Sequence, residues 1–130
     1  MIHLTIVTPQ KKIVDRSVDE VVLPGSEGHF GVLPGHAPLL SALKVGEISY
    51  REGNEGGHVA VAWGFVEVLP DKVSVLADIA ERAEDIDVDR AKRAKDRAEM
   101  RLREGQDIDW DRARVALEKS LTRLQVASKR

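Results

Sequence analysis

The chain has 130 residues and a mass of 14.4 kDa, which suits one domain, or one small domain with an appendage, and excludes two large domains. It contains no cysteine, and this excludes disulfides, thiol nucleophiles and cysteine metal sites. No apolar run approaches the roughly 20 residues that span a bilayer, and no basic stretch followed by an apolar core opens the sequence. We therefore expect a soluble, unexported protein.

The formal net charge of −2 is distributed unevenly along the chain. Residues 1–84 carry 7 Lys and Arg against 12 Asp and Glu, whereas residues 85–130 carry 13 against 10. An acidic first segment and a basic second segment predict two functional parts, a domain at residues 1–84 and a tail at residues 85–130.

The first segment shows a succession of short strand patterns. β-Branched residues at Ile2–Val7 predict an opening strand that ends at Pro9, and residues 11–22 follow. The candidate core positions in residues 11–22 are Ile13, Val18, Val21 and Val22. Further strands are predicted at residues 47–51, 58–63, 65–69 and 72–77, with a hairpin turn at 53–57 and a bend at Gly64. Short strands with turns every 8 to 12 residues predict a β-sandwich or barrel.

Residues 23–46 contain five glycines and three of the five prolines. Proline presets φ for the first central position of a type II turn and glycine supplies the positive φ of the second. Pro24–Gly25 and Pro34–Gly35 therefore predict two turns. The apolar pieces at 30–33 and 38–43 are too short for helices and predict strands.

From Glu81 onward the pattern becomes helical, because Ala, Arg, Lys and Glu dominate and glycine disappears except at Gly105. Two helices are expected, divided at Gly105. Each opens with the same pattern, since residues 86–91 (Ile-Asp-Val-Asp-Arg-Ala) are echoed 22 residues later at 108–113. The first Asp can cap a helix and the preceding Ile can contact the Ala in the first turn.

Both helices carry an apolar stripe that predicts an antiparallel hairpin connected around Gly105–Gln106. The first stripe consists largely of alanine, which buries little surface, so the hairpin should be marginally stable. The stripe residues are Ala91, Ala94, Ala98 and Leu102 in the first helix and Trp110, Ala113, Leu117, Leu121 and Leu124 in the second. The predicted fold class is α+β, an N-terminal antiparallel β-sandwich followed by a C-terminal antiparallel α-helical hairpin.

Motifs for catalysis or metal binding are weak. His29 and His36 lie near Glu27, but without a recognisable ligand motif they are better explained as loop histidines. No Gly-x-Ser-x-Gly motif or phosphate-binding glycine loop is present. We therefore predict neither an enzyme nor a metal site, and a metal-dependent β-barrel enzyme is the least favoured function.

The basic residues of the first helix leave three interpretations open. They can form a solvated face with intrahelical pairs such as Lys92 with Asp96 and Glu99 with Lys95 or Arg103. They can bind nucleic acid, which the interleaved acids and the lack of an aromatic platform disfavour. They can also capture an anion at the hairpin.

Residues 23–46 resemble a known family. The run Leu23-Pro24-Gly25, Glu27-Gly28, Phe30 to Leu40 and Leu43 to Gly46 is similar to the N-terminal domain of the ε subunit of bacterial rotary F-type ATP synthase, and the likeness extends over the whole chain in length and order. It implies a non-catalytic subunit whose sandwich binds the γ subunit and the membrane c-ring, transmitting rotation between proton flow and ATP synthesis. Residues 29–38 are the expected c-ring side, with only turn formation as the alternative role.

The resemblance also implies regulation and a location. The tail, when extended, would insert beside the catalytic α/β subunits and impede ATP hydrolysis. The protein would lie at the cytoplasmic face of the bacterial plasma membrane, peripheral to it through the complex.

Residues 86–91 also resemble the nucleotide-binding motif of those ε subunits that hold ATP in a compact hairpin. The motif implies that Ile86 and Asp87 meet the adenine region, that Arg90, Arg97 and Arg123 face phosphates, and that Glu81 assists. Ala91 completes the motif and is a further candidate residue of the ATP site. Lys119 stands where ATP-holding members commonly have Arg, and Lys supplies a point charge without the bidentate fork. ATP would be a regulatory ligand and not a resident cofactor.

Two alternatives remain. The echo at 108–113 shows that the motif can serve only to start a helix. A free-standing ATP-sensing protein is the second candidate function, with the β-domain as a scaffold for the hairpin.

Overall fold

The computed structural model describes residues 1–105 and 109–130. Over these residues, eight strands are followed by a short 3-10 turn and two helices. The elements are β1 (Ile2–Val7), β2 (Lys12–Val18), β3 (Glu20–Gly25), β4 (Gly28–Val32), β5 (Leu39–Leu43), β6 (Gly46–Glu52), β7 (Glu55–Leu69), β8 (Lys72–Arg82), the 3-10 turn (Ala83–Asp85), α1 (Val88–Glu104) and α2 (Trp110–Ala127).

The strands pair in the order β2-β1-β8-β7-β5-β3-β4, and β6 joins β3 to β7. Two packed layers result, because the first half of β7 pairs with β6 and its second half with β5. The predicted β-sandwich and helical hairpin are confirmed. One pairing differs from the antiparallel prediction, since β1 runs parallel to β8 from His3 beside Lys72 to Val7 beside Leu76. These two strands are far apart in sequence, so no hairpin constrains their direction.

A sharp corner lies in the middle of β7, where the strand leaves β6 and joins β5. Trp63 has φ +54° and Gly64 has φ +142° at this point. A Cβ at Gly64 would lie 2.1 Å from the carbonyl oxygen of Leu76, so only glycine fits there. The predicted bend at Gly64 is confirmed, but the strands predicted on either side of it are one continuous strand.

The sandwich encloses one apolar core. Val18 and Val21 are buried as predicted, whereas Ile13 packs only partly against the core and Val22 is half-buried. The largest fully buried side chains are Ile2, Leu4, Ile6, Val18, Val21, Leu23, Val32, Ile48, Val59, Val66, Val68 and Val73.

Only one of the two predicted Pro-Gly turns forms. Gly35 has φ +87° and the His36 amide donates to the Leu33 carbonyl at 3.2 Å, which confirms the turn at Pro34–Gly35. The prediction of a turn at Pro24–Gly25 is wrong, because these are the last two residues of β3. The chain reverses at the two residues that follow, between Gly25 and its partner Gly28. Gly25 is instead a site of close approach, where an added Cβ would lie 2.9 Å from the Phe30 ring.

The helical segment begins later than the composition predicts. Glu81 and Arg82 still belong to β8, since they pair with Ala60 and Val59 of β7. The 3-10 turn then redirects the chain, and Arg82 holds it through a 3.0 Å contact between Nε and Oδ2 of Asp85. Hydrogen bonding to this carboxylate raises the pKa of the Arg82 guanidinium.

Both predicted aspartate caps are confirmed. Asp87 accepts a hydrogen bond from the Arg90 amide and Asp109 from the Arg112 amide, each at 3.1 Å. Gly105 ends α1 with φ +68°, as a left-handed cap. The predicted connection at Gln106 and the predicted contact of Ile108 lie outside the described residues.

The helix stripes are confirmed in part. Ala91, Ala98 and Ala113 are buried, but Trp110 and Leu121 are 54% and 45% exposed. The prediction is wrong for these two. Toward its end α2 buries a different face, with Ser120, Val126 and Ala127 turned inward in place of Leu121. In the described part of the chain, no helix has the length and apolarity to cross a membrane.

We expect Gly64→Ala to destabilise the sandwich by on the order of 3 kcal/mol, because the new methyl group meets the Leu76 carbonyl and alanine disfavours this φ. Thermal unfolding should show a fall in Tm of roughly 10 °C. Gly31→Ala is the matched control, since a Cβ there meets nothing within 4 Å. Equal Tm values for the two variants would contradict the described corner.

Candidate functional site

A cleft of about 410 Å³ lies between the sandwich and the helical hairpin. Its walls come from β7 and β8 on one side and from α1 and α2 on the other. The apolar wall is formed by Val45, Ala60, Val61, Ala62, Ile79, Ala94 and Ala116, and the polar groups are Glu81, Arg90, Lys119, Ser120, Thr122 and Arg123. The cleft therefore combines small apolar side chains with three cations and one carboxylate.

Arg123 is held by Glu81 across the cleft. Arg123 Nη2 donates to Glu81 Oε2 at 3.2 Å, and Nε lies 2.6 Å from Oε1. Although this second contact is a close ion pair, Nε is buried with no aligned hydrogen-bond acceptor among the described residues. The pair joins the middle of α2 to β8 and offsets one cleft cation.

Lys119 is held by an aromatic ring. Its Nζ lies 4.5 Å from the ring centroid of Trp63, the corner residue of β7. A lysine ammonium at this distance is attracted by the ring quadrupole, by about 0.5–1 kcal/mol at exposed sites. Lys119 is thus the second cation of the cleft that contacts a residue of the sandwich.

Arg90 is the third cation, placed one turn into α1 by the Asp87 cap. In the described ranges its side chain forms neither an ion pair nor a cation–π contact. Two of the three cations therefore have protein partners, and Arg90 faces the cleft without a salt bridge.

The base of the hairpin is attached to the sandwich by apolar and polar contacts. Ile86, Val126 and Ala127 pack with Ala60 and Ala83 in a second buried cluster. Beside this cluster, Lys129 Nζ contacts both Glu47 oxygens at 2.9 and 3.1 Å, and His58 Nδ1 lies 3.2 Å from Oε2 of the same carboxylate. The carbonyl of Ile86 accepts a hydrogen bond from Arg130 Nη1 at 3.3 Å.

Four of the eight residues predicted for the ATP site come together in the cleft, namely Glu81, Arg90, Lys119 and Arg123. The other four do not line it. Ile86 is only 3% exposed within the second cluster, Asp87 caps α1, Ala91 is fully buried and Arg97 is exposed on α1.

Sequence reasoning missed the residues that hold the hairpin on the sandwich. Trp63, Glu47 and Lys129 were absent from the predicted site, yet each joins the two parts. On α2 the contacting residues are Lys119, Arg123, Val126 and Ala127, a spacing of i, i+4, i+7 and i+8. This stripe mixes charge with apolar groups, so a search for hydrophobic periodicity alone cannot find it.

The histidines do not assemble a metal site. His36 Nδ1 lies 2.7 Å from the carbonyl of Ala37, and His58 contacts Glu47. Among the residues described, no group of three or more His, Asp or Glu side chains is placed to hold a metal ion.

Two protein-family models match the chain and together define its class. Residues 1–83 match the family model described as the beta-sandwich domain of the ATP synthase delta/epsilon chain, and residues 84–128 match its long alpha-helix domain. The chain belongs to the epsilon-subunit family of F-type ATP synthases.

Its relatives include the ATP synthase epsilon chain of Syntrophobacter fumaroxidans, 54% identical over 129 residues, covering 98% of this chain and 96% of the relative. The epsilon chain of Nitratidesulfovibrio vulgaris is 57% identical over 101 residues, covering 78% and 75%.

A solved structure shares the fold. A chain of the Euglena gracilis mitochondrial ATP synthase, in an assembly of OSCP, F1 and c-ring, superposes with a TM-score of 0.83. It is 23% identical, and the match covers 98% of this chain and 81% of that one.

Proposed function

We propose that the chain is a rotor subunit of the ATP synthase that has no catalytic groups of its own and docks through its sandwich onto the γ subunit and the c-ring. Family membership supports a place in the complex over a free-standing ATP sensor. By the same proposal the protein lies at the cytoplasmic face of the bacterial plasma membrane, held there through the complex.

The observation that carries the docking proposal is a row of apolar side chains outside the core. Ala42, Phe65, Leu76 and Val7 are paired across β5, β7, β8 and β1. Phe65 and Leu76 are 59% and 55% exposed, and Leu40, two residues from Ala42 on β5, is exposed as well. A contiguous apolar surface of this kind marks a protein contact, because leaving it in water is unfavourable. We assign this row to the γ subunit.

Residues 29–38 supply the second proposed contact surface, the one for the c-ring. Leu33 is exposed beside the rigid turn at Pro34–Gly35, and Leu39 follows it at the start of β5. An exposed leucine on a fixed turn offers an apolar tip with little loss of conformational freedom on binding. We assign this tip to the c-ring.

The cleft under the hairpin is the proposed regulatory site for ATP. Arg90, Lys119 and Arg123 supply positive charge for phosphates, and the apolar side chains of the cleft offer a surface on which a base could pack. In this proposal Ile86, Asp87 and Ala91 contribute by starting and seating α1, while direct contacts from them or from Arg97 stay predictions.

ATP bound in the cleft would favour the compact hairpin. A ligand at 100 times its dissociation constant stabilises the form that binds it by about 2.7 kcal/mol, which is sufficient to bias a marginal element. Released and extended as one helix, residues 88–127 would reach about 60 Å at 1.5 Å per residue. The extended tail would then contact the catalytic α/β subunits and slow ATP hydrolysis.

Phe65→Glu and Leu76→Glu should each weaken binding to the cognate γ subunit by about tenfold or more, since a carboxylate would enter an apolar interface. Leu121→Glu is the control, because Leu121 is an exposed leucine on α2 away from the row. Affinity is measured by titrating purified γ subunit with the full chain. If all three variants bind like the unmodified chain, the row is not the docking surface.

Arg90→Ala should weaken ATP binding by about tenfold or more, the value of a charged hydrogen bond to phosphate. Arg112→Ala is the matched control, because Arg112 holds the same place as Arg90 in the repeated motif but lies outside the cleft. We expect it to leave the affinity for ATP unchanged. Calorimetric titration of the full chain with ATP, with and without magnesium, provides the measurement. Saturable binding that is equally strong in both variants would place ATP elsewhere, and no binding at millimolar ATP would leave the motif as a helix start.

Deletion of residues 88–130 should raise the ATPase activity of the reconstituted complex while coupling to proton transport persists. The sandwich retains its own core without these residues, so the truncated chain should still assemble. Unchanged ATPase activity in a fully assembled complex would show that the tail does not inhibit.

A further inference from the structure

Trp63 is the only described residue other than glycine with a positive φ. Side chains with a Cβ are crowded in this conformation, and a bulky one especially so. The position is fixed by the corner of β7, where the next residue, Gly64, is also at positive φ and tightly packed. Glycine would fit the backbone at position 63 better than tryptophan does.

The tryptophan side chain does not compensate for this backbone strain by packing in the core. Trp63 is 40% exposed and belongs to neither buried cluster of the described residues. The contact that distinguishes it is with Lys119 of α2, whose ammonium lies 4.5 Å from the ring centroid. A strained residue at the surface whose side chain reaches another element indicates a role outside the strand itself.

The position of Lys119 on α2 gives the contact its significance. The attachments to the sandwich run from Lys129, just beyond α2, through Ala127 and Val126 to Arg123 and then Lys119. From Ala127 to Lys119 the helix rises about 12 Å at 1.5 Å per residue. Lys119 is therefore the polar attachment farthest from the base, where a hairpin lifting from its tip would part first.

We propose that Trp63 is a docking residue for the regulatory hairpin: its indole, turned outward by the left-handed backbone, captures Lys119 and fixes the middle of α2 against the sandwich. The contact sets how readily the compact tail opens. The contact between Trp63 and Lys119 does not require ATP, so this proposal can be tested independently of the proposed nucleotide site.

Hydrogen exchange of the full chain, without nucleotide, tests the proposal through a double-mutant cycle. Trp63→Leu removes the π face and Lys119→Met removes the charge. Each should lower the protection of α2 amides at residues 116–124 by about two- to fivefold, the range expected for an exposed cation–π contact. The double variant should lose no more than the larger single effect, because the two residues share one interaction.

Three further variants separate docking from general damage. Trp63→Gly suits the positive φ, so amides of β7 and β8 should stay protected while those of α2 lose protection. Trp63→Tyr and Lys119→Arg keep a ring and a cation, and they should restore most of the α2 protection. Lys92→Met on α1 is the charge control, with no expected change.

Two results would overturn the proposal. One is unchanged α2 protection in Trp63→Gly with an intact sheet. The other is additive losses in the double variant, which would mean that Trp63 and Lys119 act independently.

Discussion

The ladder between β7 and β8 is the constraint on which the remaining structure depends. The two strands pair from Val59 beside Arg82 to Leu69 beside Lys72, interrupted at Trp63, and this ladder is longer than any other in the described chain. β7 also pairs with β6 along one half and β5 along the other, and β8 carries β1. Because each long strand takes part in more than one region of the sandwich, the corner at Trp63–Gly64 fixes how those regions meet. The same two strands supply one wall of the cleft and the Phe65 and Leu76 side chains of the apolar row, so both surfaces are built on one ladder.

Two of the three cleft cations are already engaged by groups of the protein itself. Glu81 engages Arg123 and the Trp63 ring engages Lys119, so the hairpin is held down by the groups that would receive an anionic ligand. The Arg123 and Glu81 side chains are 21% and 30% exposed, so solvent screens this pair only in part. A phosphate entering the cleft would compete with Glu81 for Arg123 and with the Trp63 ring for Lys119.

Most of the fold can be predicted from the sequence, because its signals are local. β-Branched runs, the turn at Pro34–Gly35, the aspartate caps and Gly105 are each set by a few neighbouring residues, and each is found in the structure. The failures come from distant contacts. Pro24–Gly25 has the composition of a turn, but Gly25 is needed because the Phe30 ring packs against it. Glu81 has the composition of a helix, but it pairs with Ala60 in the sheet. Four of the eight residues predicted for the ATP site line the cleft, whereas Trp63 could not be foreseen, because its role depends on a corner that only the folded sheet creates.

The parallel pairing of β1 with β8 has a consequence for how the chain folds. Residues 3–7 lie beside residues 72–76, so β1 is synthesised well before β8 and has only β2 as a neighbour until β8 has been made. Closing so long a loop is entropically unfavourable, and such contacts tend to form late and slowly. The helices that follow rely on local contacts and need the finished β7–β8 surface to dock against. The hairpin can therefore dock in its compact position only once the β7–β8 surface has formed.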